Sequence, residues 1–591
     1  MAILALVPII IYCKIDILDY NTYLNWKGNK TEMDLFAFYK SLFTITMTLI
    51  LSCMYFVNRK KINKLDNIKE NKWILIYGIC ILISFILSDY KEVAFYGFVF
   101  RYEGIILLIS YMLILYITIN VFDYYNDYKK ILYAIMFACI IVGIVGISQY
   151  LDSDIVTKEF MQKLIIPKRY EHLVGTLKGS SKANQKVAGL IGNANYFSQY
   201  YALIFPIFFV LAVYLKDKKY KVISSVISAL SAFLIVISLS ETGLISILIT
   251  IIIVISINIK GIINKIGIKR FKILSAFIIL FLASDIILNG PIYTKTYYIF
   301  NNLKYEFTAG KEKKNIQEIE LDNNKAKINY KNREINIIYD KGDIFIKDKN
   351  GKILHEEKNI ENKNKIKDFK NMEIMIGFRK HKYVNRNMVY IRIGESIQFR
   401  MIIDNGNFKI INNAGKIIEQ SKIKIAFGEG KEELLTGRIY IWSRAIPKII
   451  ERPLFGYGAD TFELVFPNHD YAGLYKAYNR SMIIVDKPHN IYIGIASNTG
   501  ILSLIAFLTI NIIYLKNAIE NIKKFGIKNE IEICSFGVLL SIISYLILGI
   551  MYDSNIVSTS YYYILLGIGI NLNYTINKEN KVVKNINIEI Q

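Results

Sequence analysis

Predominantly apolar stretches in this chain run without a charged residue over bilayer-spanning lengths, as at 105–121, 131–150 and 222–239, and each approaches the roughly 20 residues that a helix needs to cross a membrane. Run length predicts twelve spans, at about 1–18, 40–57, 73–88, 104–121, 131–150, 197–215, 221–239, 242–259, 271–289, 490–515, 532–551 and 559–574. Between the ninth and tenth spans the pattern changes. Residues 334–339, 343–347 and 396–403 alternate apolar and polar side chains at strand period, separated by Asp340-Lys341-Gly342, Lys349-Asn350-Gly351 and Asp404-Asn405-Gly406. Alternation bounded by Asn-Gly and Lys-Gly turns predicts β-hairpins, and hence a small β-rich insertion at about 310–426. Its composition is that of an independent soluble domain, so it is expected to be dispensable for chemistry done elsewhere.

A third pattern follows the insertion. Residues 434–450 (LLTGRIYIWSRAIPKII) read as an amphipathic helix with Ile441, Trp442, Ala445, Ile446 and Ile449 on one stripe and Tyr440, Ser443 and Arg444 turned away. Arg438 falls on the apolar stripe, where a guanidinium is costly unless it meets a carboxylate or phosphate or reaches out to water.

Composition supports lipid as the main solvent: 53% of the 591 residues are hydrophobic and mean hydropathy is positive. The net charge of +24 does not read as nucleic-acid binding, because the basic residues gather in short segments between apolar runs, as topogenic loops do. Those loops predict both termini inside and residues 290–489 outside. The basic stretch 151–196 strains that pattern unless its charge serves an anionic ligand. The five cysteines, Cys13, Cys53, Cys80, Cys139 and Cys534, lie in or beside apolar segments without pairing or metal-ligand spacing, so no disulfide, metal or cofactor is expected. The first residues lack a basic n-region and a small-residue cleavage site, which argues against a removable signal peptide. The domains predicted are a membrane part (1–289), the insertion (310–426), a motif loop (427–489), a second membrane part (490–574) and a cytoplasmic tail (575–591).

Several short motifs occur in a characteristic order. Arg101-Tyr102-Glu103-Gly104 and Gly192-Asn193-Ala194-Asn195-Tyr196 come first. Arg438 with Trp442 four residues later, the Pro453-Leu454-Phe455-Gly456-Tyr457-Gly458 turn running on to Phe462, and His489-Asn490-Ile491-Tyr492 before Asn498-Thr499-Gly500 follow. In this order they resemble the O-antigen ligase and polymerase family of lipid-linked glycan transferases. The resemblance covers most of the membrane part but not the β insertion. It implies an all-α, GT-C-like polytopic fold of about twelve transmembrane helices in the bacterial cytoplasmic membrane, with the β-rich insertion extracytoplasmic. It also implies transfer, by ligation or polymerisation, of a glycan from a polyprenyl diphosphate to a hydroxyl of a glycan, lipid or protein acceptor, without metal or nucleotide. The chain departs from the pattern at Ser240-Glu241-Thr242-Gly243, where many members carry an arginine; Glu241 cannot supply that cation.

Such a reaction needs cations on the leaving diphosphate and a base at the acceptor hydroxyl. Arg101 and Arg438 suit the first role, because a planar fork binds phosphate oxygens in pairs. His489 suits the second, and a position at a helix N-terminus near arginines predicts a lowered pKa and a neutral imidazole. Read from residues alone, His489 serves equally well as an interfacial histidine; the resemblance favours the base. Arg169, Lys182, Lys186, Asn195, Trp442, Asn490 and Tyr492 are supporting candidates on the same ground. The competing classes are a flippase of lipid-linked glycans and a non-catalytic membrane sensor. Few ionisable residues lie mid-span and no two-half repeat is evident, which disfavours a transporter.

Overall fold

The computed structural model describes residues 1–18, 30–60, 65, 68–177, 187–258, 316–330, 333–357, 364–369, 372–378, 387–393, 396–412, 414–418 and 423–589. Its membrane part comprises α2 (Phe38–Asn58), α3 (Lys69–Leu87), α5 (Ile105–Val121), α6 (Tyr124–Tyr150), α8 (Ala194–Tyr214), α9 (Lys218–Ile237), α10 (Glu241–Asn258), α15 (Ile501–Phe525), α16 (Glu530–Leu548) and α17 (Ile556–Glu589). Among the described residues seven helices are long and apolar enough to cross a bilayer, α2, α3, α6, α8, α9, α15 and α16. Two shorter apolar helices, Ile105–Val121 and Thr242–Ile257, accompany them. The chain is therefore a polytopic, mostly helical membrane protein carrying a separate β-sheet region. Leu49, Met54, Phe56, Leu75, Ile86, Ile144 and Ile252 are exposed on the helices, an outward apolar coat that lipid would cover.

The expected first span does not form. Residues 2–6 make a five-residue helix, α1 (Ala2–Leu6), and the chain then extends into β1 (Lys14–Ile17), which pairs antiparallel with β2 (Thr31–Asp34). Five residues rise only about 8 Å, far short of a core roughly 30 Å thick; residues 1–18 looked like a span because α1 is buried against the bundle at Ile3 and Leu4. The expected span at 271–289 lies outside the described residues.

At the centre stands α8, buried without a break from Phe197 to Tyr214. It packs on α9, α16, α10 and α17. Lipid offers no hydrogen bonds, so polar groups among these helices find partners inside the protein. Ser541 donates to the Leu203 carbonyl at 2.7 Å and Asn555 Nδ2 to Gln199 Oε1 at 2.7 Å. Thr44, Thr48 and Ser231 bond back to the carbonyl four residues earlier.

The β region contains two antiparallel meanders. One sheet runs in chain order through β3 (Ile316–Asp322), β4 (Lys325–Tyr330), β5 (Arg333–Asp340), β6 (Asp343–Asp348) and β7 (Ile353–Glu357). The other comprises β8 (Asn364–Phe369), β9 (Met372–Phe378), β10 (Asn387–Ile393), β11 (Ser396–Asp404), β12 (Asn407–Ile411) and β13 (Ile417–Ile418). Asp340 pairs with Asp343, and Asp404 with Asn407, around turns in which Lys341, Gly342, Asn405 and Gly406 all have positive φ, the backbone that two-residue hairpins require. One face of each sheet is apolar, and the two faces share a core of Ile328, Ile337, Ile346, Val389, Phe399 and Met401. Tyr471 and Tyr475 belong to that same core. They lie on α13 (Tyr471–Tyr478), a helix of the motif loop that contacts β3 and β11. The sheets are therefore tied to the motif loop by a shared apolar core.

The predicted span at 490–515 is two helices, α14 (Ile491–Asn498) and α15, broken at Thr499-Gly500. The last carbonyls of α14 would be orphaned by the break. The Pro453–Gly458 turn satisfies them: Tyr457 N donates to Ser497 O at 3.1 Å, Gly458 N to Asn498 O at 2.8 Å, and Ile501 N donates back to Pro453 O at 2.7 Å. Backbone meets backbone so closely that a Cβ on Gly500 would sit 2.0 Å from Leu454 O, and one on Gly456 would sit 2.5 Å from Ser497 O. Gly500 also has φ 90° and ψ 168°, a region open essentially to glycine alone.

Two predictions follow from this packing. Gly500→Ala is expected to destabilise the fold by at least roughly 1–3 kcal/mol from backbone strain alone and to lower the thermal unfolding midpoint in detergent; an unchanged midpoint contradicts the capping role of the turn. Tyr475→Ala is expected to cost on the order of 3 kcal/mol, as for other large aromatics removed from a core, and to increase protease cleavage in the sheets as well as in the motif loop. Cleavage confined to the loop would show that the sheets stand alone.

Candidate functional site

Five stretches of chain meet where the motif loop joins the bundle. The first ends in α4 (Lys91–Tyr96) and the turn 97–103 leading to α5. Here Arg101 is buried, with 5% of its side chain exposed, and all five of its N–H donors are engaged. Nε donates to Asp460 Oδ1 at 2.5 Å, Nη1 to the backbone oxygen (2.9 Å) and Oδ2 (3.4 Å) of Asp486, and Nη2 to Glu463 and to Asp460 O (3.4 Å). So enclosed, the guanidinium has every donor on protein and joins α12 (Phe462–Val465) and the 486 segment to the bundle.

The second stretch is α11 (Arg438–Glu451), which starts four residues later than expected because Leu435, Thr436 and Gly437 all have positive φ. It is not amphipathic in the way its stripe predicts. Tyr440, Ser443 and Arg444 are buried, because Arg444 finds Glu432 at 3.5 Å and Asp470 at 3.1 Å on the face expected to be wet. Arg438, the first helical residue, bonds to Met551 O through Nε (3.3 Å) and Nη2 (3.2 Å), and through Nη1 to Leu435 O and Thr436. Trp442 donates its indole N–H to Pro488 O at 2.9 Å and so fixes the residue that precedes His489.

The third and fourth stretches are the 485–491 segment and the linker between α16 and α17, and they are zipped together. Ile491 N donates to Gly549 O at 2.8 Å, Asn490 Nδ2 to Ile550 O at 3.0 Å, and the Arg438 guanidinium occupies Met551 O. Next along the linker, Asp553 Oδ2 lies 2.7 Å from His489 Nδ1. Asn490 caps α14 through Ile493 N, which leaves His489 at φ 50° just before the helix, a strained conformation of the kind that accumulates at functional sites. Tyr492 Oη donates to Leu546 O at 2.6 Å and anchors α14 on α16. Asn490, Tyr492 and Trp442 thus position the histidine.

The electrostatics differ from the expectation for a bare helix N-terminus. Burial lowers the proton affinity of the His489 imidazole, but the charge and hydrogen bond of Asp553 outweigh it and the net shift is upward. The Arg438 charge acts in the opposite sense, too weakly to reverse it. Asp553 is pushed up by burial, and His489, Lys487 and Arg101 together bring it below the usual carboxylate range. With the Nδ1 proton donated to this carboxylate, Nε2 keeps its lone pair. The His489 side chain remains 44% exposed, open to an incoming group.

The fifth stretch is the start of α8. Tyr196 accepts a hydrogen bond from Lys487 Nζ, whose ammonium also sits 4.7 Å above the phenol ring. Burial lowers the Lys487 pKa, and Tyr196 and Asp553 more than offset it, so the ammonium stays charged. Lys487 lines two cavities, of about 80 Å³ and about 300 Å³. A larger one of about 420 Å³ is lined by β13, α11 and the 481–484 segment, and His489 lines none of the three. Asn195 lies in the first turn of α8, its backbone N–H capped by Asn193. Arg169 stacks 4.6 Å from the Tyr170 ring, and its charge acts on Cys13 and Tyr39, at the β1 side of the bundle. Lys182 and Lys186 lie outside the described residues. Asp553 and Lys487 were given no role from the sequence, and Tyr196 entered only as the end of the 192–196 motif; the only signal for Asp553 is a carboxylate in a short polar break between two apolar runs.

No curated protein and no solved structure matches the chain. A family model described as O-Antigen ligase matches residues 391–508, about a fifth of the length. The match begins in β10, within the insertion that the motif resemblance left out, and takes in Arg438, Trp442, the 453–458 turn and His489. Arg438, Trp442 and His489 thus lie in the stretch that is similar to the O-antigen ligase family, whereas Asp553, Tyr196 and Arg101 lie outside it.

Proposed function

We propose that this protein transfers a glycan from a polyprenyl diphosphate to an acceptor hydroxyl at the outer face of the bacterial cytoplasmic membrane, with His489 as general base. Similarity of residues 391–508 to the O-antigen ligase family supports glycan transfer of the ligase or polymerase type; the observation that carries the finer reading is the His489–Asp553 pair beside two cations. Asp553 holds the imidazole by Nδ1 and stabilises the imidazolium that forms when Nε2 takes the acceptor proton. The acceptor oxygen attacks the anomeric carbon, the bond from that carbon to the diphosphate oxygen breaks, and the electron pair leaves with the diphosphate. Arg438 and Lys487 are the cations near enough to stabilise that charge, Lys487 serving where Glu241 cannot. Lys487 has two N–H groups beyond the one given to Tyr196. The carboxylate-rich Arg101 cluster behind them is structural.

His489→Ala is expected to reduce transfer by about two to four orders of magnitude, the usual share of acid–base catalysis, while binding of the carrier lipid in detergent persists. Arg438→Ala is expected to weaken carrier binding as well, with Arg438→Lys recovering only part of it. Near wild-type turnover of correctly inserted His489→Ala would overturn the base assignment.

The pH dependence has a fixed sign. The base must be neutral, so activity rises with pH through the His489 pKa, which Asp553 holds above the ordinary histidine value of 6.5. Asp553→Asn removes that charge, so the acid limb of kcat/KM is expected to move to lower pH while the maximum falls. An acid limb that stays in place would show that Asp553 does not act through His489.

A further inference from the structure

Residues 450–458 fall in the stretch that the basic-loop pattern places outside the membrane, yet the corner they form with α4 is apolar where it is exposed. Ile450, near the end of α11, is 69% exposed and Leu454 is 55% exposed. On the α4 side Phe95 and Tyr96 are exposed, their rings 4.8 Å apart and edge to face. Single exposed apolar side chains are ordinary on a water-facing surface, but four gathered at one corner mark a surface that meets something other than water.

The corner is level with the end of a spanning helix. Ser84, one turn before the end of α3, donates to Asn498 O at 2.9 Å, and a Cβ on Gly458 would meet Ser88 Oγ and, at 3.1 Å, Ala94 Cβ. Ile501 N reaches Pro453 O, which puts Leu454 beside the first turn of α15. The apolar outer surfaces of the two helices therefore run directly into the corner. Ile86 and Leu87 on α3 and Ile501 and Ile505 on α15 are exposed, and the Phe85 and Phe95 rings lie 5.7 Å apart.

The polar groups of the corner are arranged as a lipid boundary requires. Pro453 has no N–H, and those of Gly456, Tyr457 and Gly458 are all given to protein carbonyls, so this irregular backbone asks little of water. Arg452 pairs with Asp89 at 2.5 Å and lies 4.8 Å from the Tyr457 ring. Lys91 turns back onto the last carbonyls of α3, Phe85 O (2.9 Å) and Ile86 O. Long cationic side chains folded over apolar surface, with tyrosines among them, mark the headgroup level of a bilayer.

We propose that the corner made by α4 and residues 450–458 is seated in the lipid leaflet on the His489 side of the bundle. Ile450, Leu454, Phe95 and Tyr96 lie among its acyl chains, and Arg452 and Lys91 lie at its headgroups. Continuity with the lipid-facing sides of α3 and α15 selects lipid over a second protein as the occupant. The leaflet then bears on the turn that caps α14. His489 stands just before the other end of that eight-residue helix, so lipid sets the depth of the histidine. This inference does not depend on the reaction proposed above.

The test is electron paramagnetic resonance on the full-length protein in nanodiscs of phosphatidylethanolamine and phosphatidylglycerol. A nitroxide is placed at Leu454→Cys or Ile450→Cys in a Cys53→Ser background, since Cys53 is the one exposed cysteine. Ile86→Cys serves as the lipid reference and Lys349→Cys, in the β6–β7 turn, as the water reference. At both corner positions the ratio of oxygen to nickel-chelate collision rates is expected to follow Ile86→Cys and to exceed that of Lys349→Cys about fivefold or more, because hydrocarbon excludes the polar chelate. Each labelled variant is checked against the thermal midpoint of the Cys53→Ser protein; if one fails to fold, the other decides alone. A ratio equal to that of Lys349→Cys would place the corner in water and overturn the proposal. Low collision rates with both reagents would mean that protein, such as a second copy of the chain, covers it, and would overturn the proposal equally.

Discussion

The buried guanidinium of Arg101 is the interaction on which the rest of the site depends. It joins the turn before α5 to Asp460, Glu463 and Asp486, residues that are more than 350 positions away in the chain. Asp460 in turn accepts from the backbone N–H groups of Phe98 (2.6 Å) and Glu103 (3.2 Å). Removing one partner from such a buried cluster typically costs about 3–5 kcal/mol, because the charges left behind have no water. The cluster therefore holds the motif loop on the bundle in one register. His489 begins three residues after Asp486 and inherits that register.

A second constraint acts from the opposite side. The linker between α16 and α17 offers the carbonyls of Gly549, Ile550 and Met551 in succession, and the 489–491 segment and Arg438 take all three. Only then does Asp553 reach the imidazole. A histidine held by backbone contacts on both flanks is preorganised, as the proposed role of general base requires, since the groups around it need not rearrange as charge develops. Of the pair, the histidine is the exposed member and Asp553 the buried one.

Much of this was legible in the residues. The helices follow from apolar run length, and the hairpins at 340–343 and 404–407 follow from alternation and turn chemistry. Arg438, Trp442 and His489 do come together, in the order the motifs suggest. What failed did so for identifiable reasons. Hydropathy cannot distinguish a span from an apolar start that is buried against the protein, as at residues 1–18. A helical wheel assumes one wet face, and Arg444 brought its own carboxylates to that face. Arg101 looked like a free cation because its three acidic partners are remote in sequence. The histidine's upward shift depends on Asp553, 64 residues further on, and no local pattern points there.

The central helix carries one more implication. Because α8 is buried along its length, its polar residues Gln199 and Tyr200 belong in an interior that the early chain completes only in part. The covering helices α16 and α17 are made more than 300 residues later, after both sheets. Tyr201 finds Cys139 O on α6, made earlier, but the partners of Gln199 and Tyr200, Asn555 and Tyr561, arrive only with the last helix. The site, whose carboxylate lies between those two helices, is therefore completed at the end of translation, and a chain halted before residue 553 is both unclosed and without the partner of its histidine.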